Sequence, residues 1–138
     1  MDRNDYLGPF IDETEENLQK LSDALLALES GDNGVIDEIF RVAHTLKGMA
    51  ATMGFNAMAA LTHAMEDVFE AVRAGNLRLR RKEDASLLFR CLDVLTVQAG
   101  EIRRGKGDEG VETAELIEQL RSLLQPAEKS AGRETKGI

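Results

Sequence analysis

The chain has 138 residues, which is enough for one domain with a hydrophobic core. Its net charge of −8 argues against nucleic acid or an anionic membrane surface as the main partner. The single cysteine, Cys91, excludes an internal disulfide and a multi-cysteine metal site, and no apolar run approaches the roughly 18 residues of a membrane-spanning helix. Because the N-terminus is also unlike a signal peptide, the sequence predicts a cytoplasmic protein without membrane insertion.

Apolar residues recur every three or four positions in five segments, which is the spacing of amphipathic helices. In chain order, helices are predicted over residues 4–29, 34–53, 57–74, 83–103 and 111–124. Glycine-containing breaks separate these segments. The expected fold class is therefore all-α, an up-down bundle of about five helices. A coiled-coil rod is the alternative, but the glycine breaks cut every heptad run short.

The predicted bundle occupies residues 1–125 as a single domain. Residues 126–138 are small, polar and charged, so we expect a flexible linker or tail there. A linker at this position would indicate that the chain is a segment of a longer protein and not a free-standing domain.

The second predicted helix contains AHTLKGMA, in which Lys47 and Gly48 follow His44 by about one turn. Its inward stripe is Val35, Ile39, Val42, Leu46, Met49 and Met53. His44 then points about 180° away from the core, with Phe40, Lys47, Gly48 and Ala51 within about 60° of it. Glycine inside a helix costs about 1 kcal/mol relative to alanine. An exposed aromatic residue among small ones therefore predicts a docking surface, with Phe40 and Ala51 as partner contacts.

An exposed neutral imidazole is a nucleophile near physiological pH. Lys47 can attract an anion such as a phosphoryl group, and Gly48 leaves space above the ring. A nucleophilic histidine needs its second ring nitrogen held as a donor. The third predicted helix offers Glu66 or Glu70 for this, on a flank that also carries His63. The spacing leaves both carboxylates open.

Other site chemistries are less well supported. A metal site in a helical bundle typically uses Glu-x-x-His pairs, whereas His63-x-x-Glu66 has the reverse order and no second copy. The loop RRGKGDEG lacks the spacing of a phosphate-binding loop and follows no strand. We therefore expect no metal, no cofactor and no ATP site in this segment. A nucleophilic histidine without a substrate pocket suggests that phosphoryl donor and acceptor arrive on other domains.

Two motifs resemble those of a known family. IFRVAHTLKGMAATMGF, residues 39–55, is similar to the His-x-x-Lys-Gly signature of histidine phosphotransfer domains, and LTHAMEDVFEAVRAG, residues 61–75, to their His-x-x-Glu stretch. More narrowly, these motifs and the opening YLGPFIDETEENLQKLSDALLALE resemble the N-terminal phosphotransfer domain of chemotaxis histidine kinases of the CheA family. The likeness covers most of residues 5 to 105.

The resemblance implies a four-helix-bundle-like phosphotransfer core plus a C-terminal helix, with His44 as the phosphorylated residue. It places the family's lysine and glycine at Lys47 and Gly48, its hydrogen-bonding glutamate at Glu66 and its auxiliary histidine at His63. It also implies that the phosphoryl group comes from ATP bound in a kinase catalytic domain of the same parent protein, acting in trans. An aspartate on a response-regulator receiver domain then accepts it. ATP and Mg²⁺ would be used by those partner domains.

Two functions remain open from the sequence. The main hypothesis is a phosphocarrier module of a two-component chemotaxis system, the phospho-acceptor part of a histidine protein kinase. The alternative is a non-catalytic helical interaction domain whose His44 face only docks a partner.

Overall fold

The computed structural model describes residues 4–79 and 82–125. Within these ranges the chain forms five α-helices and no strand, which confirms the predicted all-α bundle. The helices are α1 (Asn4–Glu29), α2 (Ile36–Met53), α3 (Asn56–Arg73), α4 (Lys82–Arg103) and α5 (Ala114–Leu123). None of them combines the length and the apolar character needed to cross a membrane. The predicted tail, 126–138, lies outside the described residues.

Most helix ends lie within two residues of the predicted ones. The start of α2 is later than predicted, because residues 33–35 form a 3₁₀ turn whose N–H at Gly34 donates to Asp32 Oδ1 at 2.9 Å. The start of α5 is also later, at Ala114 instead of residue 111. Shifts of this size fall in the first turn, where helix ends are least well defined.

All five helices contribute to one hydrophobic core. Its largest fully buried apolar side chains are Phe69, Leu21, Ile39, Leu46, Met58, Leu61, Met65, Leu88, Leu95, Ile102 and Leu120. The predicted stripe of α2 is buried at its centre, whereas Val35, Met49 and Met53 are only half-buried. Val35 precedes the α-helix, and the two methionines line an open groove against α1.

A tight turn sets α2 antiparallel to α3, and these two helices make the most extensive contact in the bundle. Gly54 ends α2 in the left-handed conformation with φ +83°, which favours glycine because it has no Cβ. The Phe55 N–H donates to the Ala50 carbonyl at 2.9 Å and closes the turn. In such a hairpin, residues roughly equidistant from the turn come to lie opposite each other. The middle of α3 therefore faces the middle of α2.

A buried carboxylate ties the α4–α5 loop to the start of α3. Asp108 is 4% exposed, and its Oδ2 accepts a hydrogen bond from the Met58 N–H at 2.7 Å. Met58 is the third residue of α3, where the backbone N–H has no partner within the helix. The Gln98 side chain donates to the Asp108 carbonyl at 3.2 Å. Asp108 thus caps α3 from a distant part of the chain.

We expect Asp108→Ala to lower the free energy of unfolding by about 1–3 kcal/mol, because it leaves a buried N–H without an acceptor. Asp108→Asn keeps an acceptor oxygen and should cost less. Urea or thermal unfolding followed by circular dichroism measures both. The exposed neighbour provides the matched control, Glu109→Ala, for which we expect a change within about 0.5 kcal/mol. Equal losses at the two positions would contradict the capping role.

Candidate functional site

The structure places His44 on the outward face of α2, where 62% of its side chain is exposed. Gly48 and Ala51 on the same face are also exposed, whereas Lys47 is half-buried, with 29% of its side chain accessible. The histidine is therefore accessible from solvent, and the lysine beside it leans toward α3.

One carboxylate on α3 holds both of these side chains. Glu66 Oε2 lies 2.5 Å from His44 Nδ1, and Glu66 Oε1 lies 2.7 Å from Lys47 Nζ. Of the two carboxylates that the sequence left open, Glu66 rather than Glu70 contacts the imidazole. Because a carboxylate accepts hydrogen bonds, the neutral His44 ring carries its proton on Nδ1, and the lone pair remains on Nε2.

Glu66 is a buried charge with two compensating partners. Only 7% of the surface of Glu66 is exposed, and burial alone would raise the pKa of its carboxyl group. Hydrogen bonds from Lys47 and His44 outweigh that effect and hold the pKa of Glu66 below the ordinary value of 4.5. The group is therefore ionised at neutral pH, which makes it a strong acceptor for the Nδ1 proton.

His63 lies apart from this pairing. Its ring is 60% exposed, and its Nε2 lies 3.7 Å from Asp67 Oδ1, one turn further along α3. The structure thus brings together His44, Lys47 and Glu66 and directs His63 toward a different carboxylate. Across residues 4–79 and 82–125, no three His, Cys, Asp or Glu side chains are grouped so that they could hold a metal ion.

Phe40 forms the side of the site one turn before His44. The two rings stack with centroids 6.2 Å apart and planes inclined by 20°. The expectation that Phe40 is exposed is wrong, since the residue is half-buried. Its ring packs against the hydrophobic core, and Arg73 of α3 covers part of it, with the guanidinium carbon 4.0 Å from the centroid of the Phe40 ring. Glu70 is engaged with the same arginine, with its Oε1 2.7 Å from Arg73 Nη2.

On its other side, His44 borders an open groove between α1 and α2. Residues from both helices line it, among them Tyr6, Phe10, Gly48 and Met49. A Cβ built on Gly48 would meet no atom within 4 Å, so nothing inside the domain requires glycine there. The groove is a surface feature open to solvent, suited in shape to another protein rather than to an enclosed small molecule.

Comparison with known proteins identifies the family. The family model described as Hpt domain matches residues 5–104. The chemotaxis protein CheA of Bacillus subtilis is 40% identical over 136 residues, which cover 97% of this chain and 20% of that protein. The chain thus spans about a fifth of the length of the curated relatives it matches.

Solved structures agree in fold. The solution structure of the histidine phosphotransfer domain of CheA matches with a TM-score of 0.77 and 38% identity, covering 86% of this chain and 90% of that domain. The phosphorylated P1 domain of CheA3 in complex with CheY6 from R. sphaeroides matches with a TM-score of 0.76. It is 24% identical, covers 87% of this chain and 95% of its own, and supports the fold.

The family match extends over most of the chain, and the solved CheA domain is covered almost completely at 38% identity. Both findings agree with the His-x-x-Lys-Gly motif and the paired glutamate of the site. The chain therefore belongs to the Hpt family, and it is a histidine phosphotransfer domain of the CheA type.

Proposed function

We propose that His44 is the residue that carries the phosphoryl group, and that it does so on Nε2. The observation that supports this most directly is the pairing of Nδ1 with Glu66 in a ring that is 62% exposed. The Nε2 lone pair attacks the γ-phosphorus of ATP, an N–P bond forms, and the P–O bond to ADP breaks. In the second transfer an aspartate oxygen attacks the phosphorus, and the electron pair of the broken N–P bond returns to Nε2.

Glu66 and Lys47 act on the charge that develops during transfer. As the N–P bond forms, the imidazole ring becomes cationic, and the ionised Glu66 stabilises it through the Nδ1 proton. Lys47 supplies the cation next to the incoming phosphoryl group, although Glu66 offsets part of its charge. His63 lies on the same helix, but its ring is directed to Asp67 and not to His44, so we assign it only an auxiliary role.

The phosphoryl donor and acceptor are proposed to be separate domains. The donor is ATP bound with Mg²⁺ in a histidine kinase catalytic domain of the same parent protein, acting in trans in the cytoplasm. The acceptor is a response-regulator receiver domain. Two findings support this choice: the relatives named CheA are about five times longer than this chain, and the CheA3 domain was solved with CheY6. Both partners would approach over Gly48 and Ala51, with the edge of Phe40 beside them.

The first test is site-specific labelling. With a CheA kinase domain and labelled ATP, the wild-type domain should acquire acid-labile label and His44→Gln should acquire none. The chain has two histidines, so His63→Gln is the matched control and should still be labelled. Label that persists in His44→Gln would overturn the assignment. Transfer of the label to a receiver domain distinguishes a carrier from a domain that only docks.

The second test separates the two functions of Glu66. We expect Glu66→Ala to slow phosphorylation roughly two- to tenfold, which corresponds to one hydrogen bond of about 0.5–1.5 kcal/mol. Glu66→Gln keeps an acceptor for Nδ1 but loses the charge, so its rate should lie between those of wild type and Glu66→Ala. The helical circular dichroism spectrum should persist in both variants. An unchanged rate in Glu66→Ala would remove Glu66 from the mechanism.

The third test concerns Gly48. We expect Gly48→Ala to raise the free energy of unfolding by about 1 kcal/mol through helix propensity, because there is space for the methyl group. The same variant should slow transfer to a receiver domain, because the methyl group stands on the approach surface. Gly100→Ala on α4 is the matched control, expected to stabilise without affecting transfer. If Gly48→Ala transfers as fast as wild type, close approach at Gly48 is not required.

A further inference from the structure

Arg73 is held over Phe40 by two carboxylates, one on each helix of the α2–α3 hairpin. Its Nη2 lies 2.7 Å from Glu70 Oε1 on α3, and its Nη1 lies 3.7 Å from Asp37 Oδ1 on α2. The guanidinium carbon lies 4.0 Å from the Phe40 ring centroid, within the range of a cation–π contact. The arginine side chain is 38% exposed, so solvent reaches this arrangement only in part.

Phe40 links Arg73 to the imidazole ring of His44, because its ring contacts both side chains. The Phe40 ring also stacks on the His44 ring, with 6.2 Å between the centroids and 20° between the planes. Phe40 precedes His44 by one turn of α2, so the two rings lie on one face of that helix, and Arg73 reaches Phe40 from the last turn of α3. A continuous row therefore runs from the arginine through the phenyl ring to the imidazole.

We propose that Arg73 is a positioning residue for phosphotransfer: it fixes the Phe40 ring, and the Phe40 ring in turn fixes the plane of the His44 imidazole. The proposal rests on the proposed function of His44. It assigns to Arg73 no contact with ATP, the phosphoryl group or the partner domain.

A second constraint on the imidazole is needed, because the hydrogen bond to Glu66 holds only one atom of a ring that is 62% exposed. A ring held by its Cβ–Cγ bond and by one hydrogen bond at Nδ1 can still tilt through small compensating rotations of χ1 and χ2, which moves Nε2 away from the line of attack. In-line displacement at phosphorus requires the nucleophile to be aligned with the leaving oxygen. The stack on Phe40 restricts this tilt, and the hydrogen bond to Glu66 keeps the ring proton on Nδ1.

The charge of Arg73 itself is not what the site uses. Glu70 and Asp37 offset it where it stands, while Lys47 is the cation that shares Glu66 with His44. A purely structural ion pair is the competing explanation, and exposed pairs of this kind contribute little to stability. The experiment must therefore separate a stability effect from an effect on the His44 ring.

The chain supplies a matched control in Arg103 of α4. Its Nη2 lies 2.8 Å from Glu15 Oε1 and 3.0 Å from Asp12 Oδ1, so it also joins two carboxylates. These partners belong to α1, away from the α2–α3 pair that forms the site. Arg103→Ala should match Arg73→Ala in its effect on the thermal unfolding midpoint and should leave phosphorylation and the His44 ring signals unchanged.

The first measurement is NMR of the His44 ring protons, which lie in the ring current of Phe40. We expect their chemical shifts in Arg73→Ala to move toward those of Phe40→Leu, and Arg73→Lys to give an intermediate position. This readout does not depend on phosphotransfer. Ring shifts that stay at the wild-type value in Arg73→Ala overturn the proposal.

The second measurement is the rate of phosphorylation by a CheA kinase domain at saturating and limiting concentrations of the domain. We expect Arg73→Ala to lower the saturated rate roughly two- to fivefold, the range of an exposed cation–π contact, with KM unchanged. In a Phe40→Leu background, Arg73→Ala should have no further effect. A full additional loss in that background, or a loss confined to KM, overturns the proposal. If the wild-type domain takes no label, the function of His44 fails instead, and the ring shifts still decide the position of Phe40.

Discussion

The ionised Glu66 carboxylate is the interaction on which the site depends. A charge buried to this degree persists only when its oxygens are satisfied, and here each oxygen has a separate cationic or hydrogen-bonding partner. The pairing does three things at once: it joins α3 to α2, it assigns the imidazole proton to Nδ1, and it keeps Lys47 against the site. The nucleophilic nitrogen is left accessible because its companion nitrogen is engaged. The Glu66 side chain therefore serves both the packing of α2 against α3 and the chemistry of His44.

The geometry that makes this pairing possible is the short connection at Gly54. A turn that reverses the chain so abruptly leaves little freedom in the relative positions of α2 and α3. His44 and Glu66 lie at similar distances from this turn, ten residues before Gly54 and twelve after it. Arg73, in contrast, lies nineteen residues after Gly54 and reaches Phe40 from about one turn further along α3. Both contacts join α2 to α3, one at the level of the imidazole and one further from the turn. This common origin explains why the site is built from two helices of a five-helix bundle.

The helical pattern predicted the fold and the outward position of His44, because the 3.6-residue periodicity of each helix is visible in the sequence of that segment alone. It also predicted that a carboxylate of the third helix would face the histidine. It did not distinguish Glu66 from Glu70, since both lie on one flank and only the register between helices separates them. The half-burial of Phe40 was missed for the same reason: part of its cover comes from Arg73, more than thirty residues later. Contacts between helices depend on loop geometry that periodicity does not contain.

The cap that Asp108 places on α3 has a consequence for where this domain ends. The family model stops at residue 104, and the motifs that carry the chemistry end earlier still. Yet the first turn of the helix that bears Glu66 donates a hydrogen bond to the carboxylate of residue 108, and α5 packs on that same helix. The segment that folds is thus longer than the segment that the family shares. Anyone who excises this module, or joins it to another protein, should place the junction after α5 and not at the edge of the recognisable sequence.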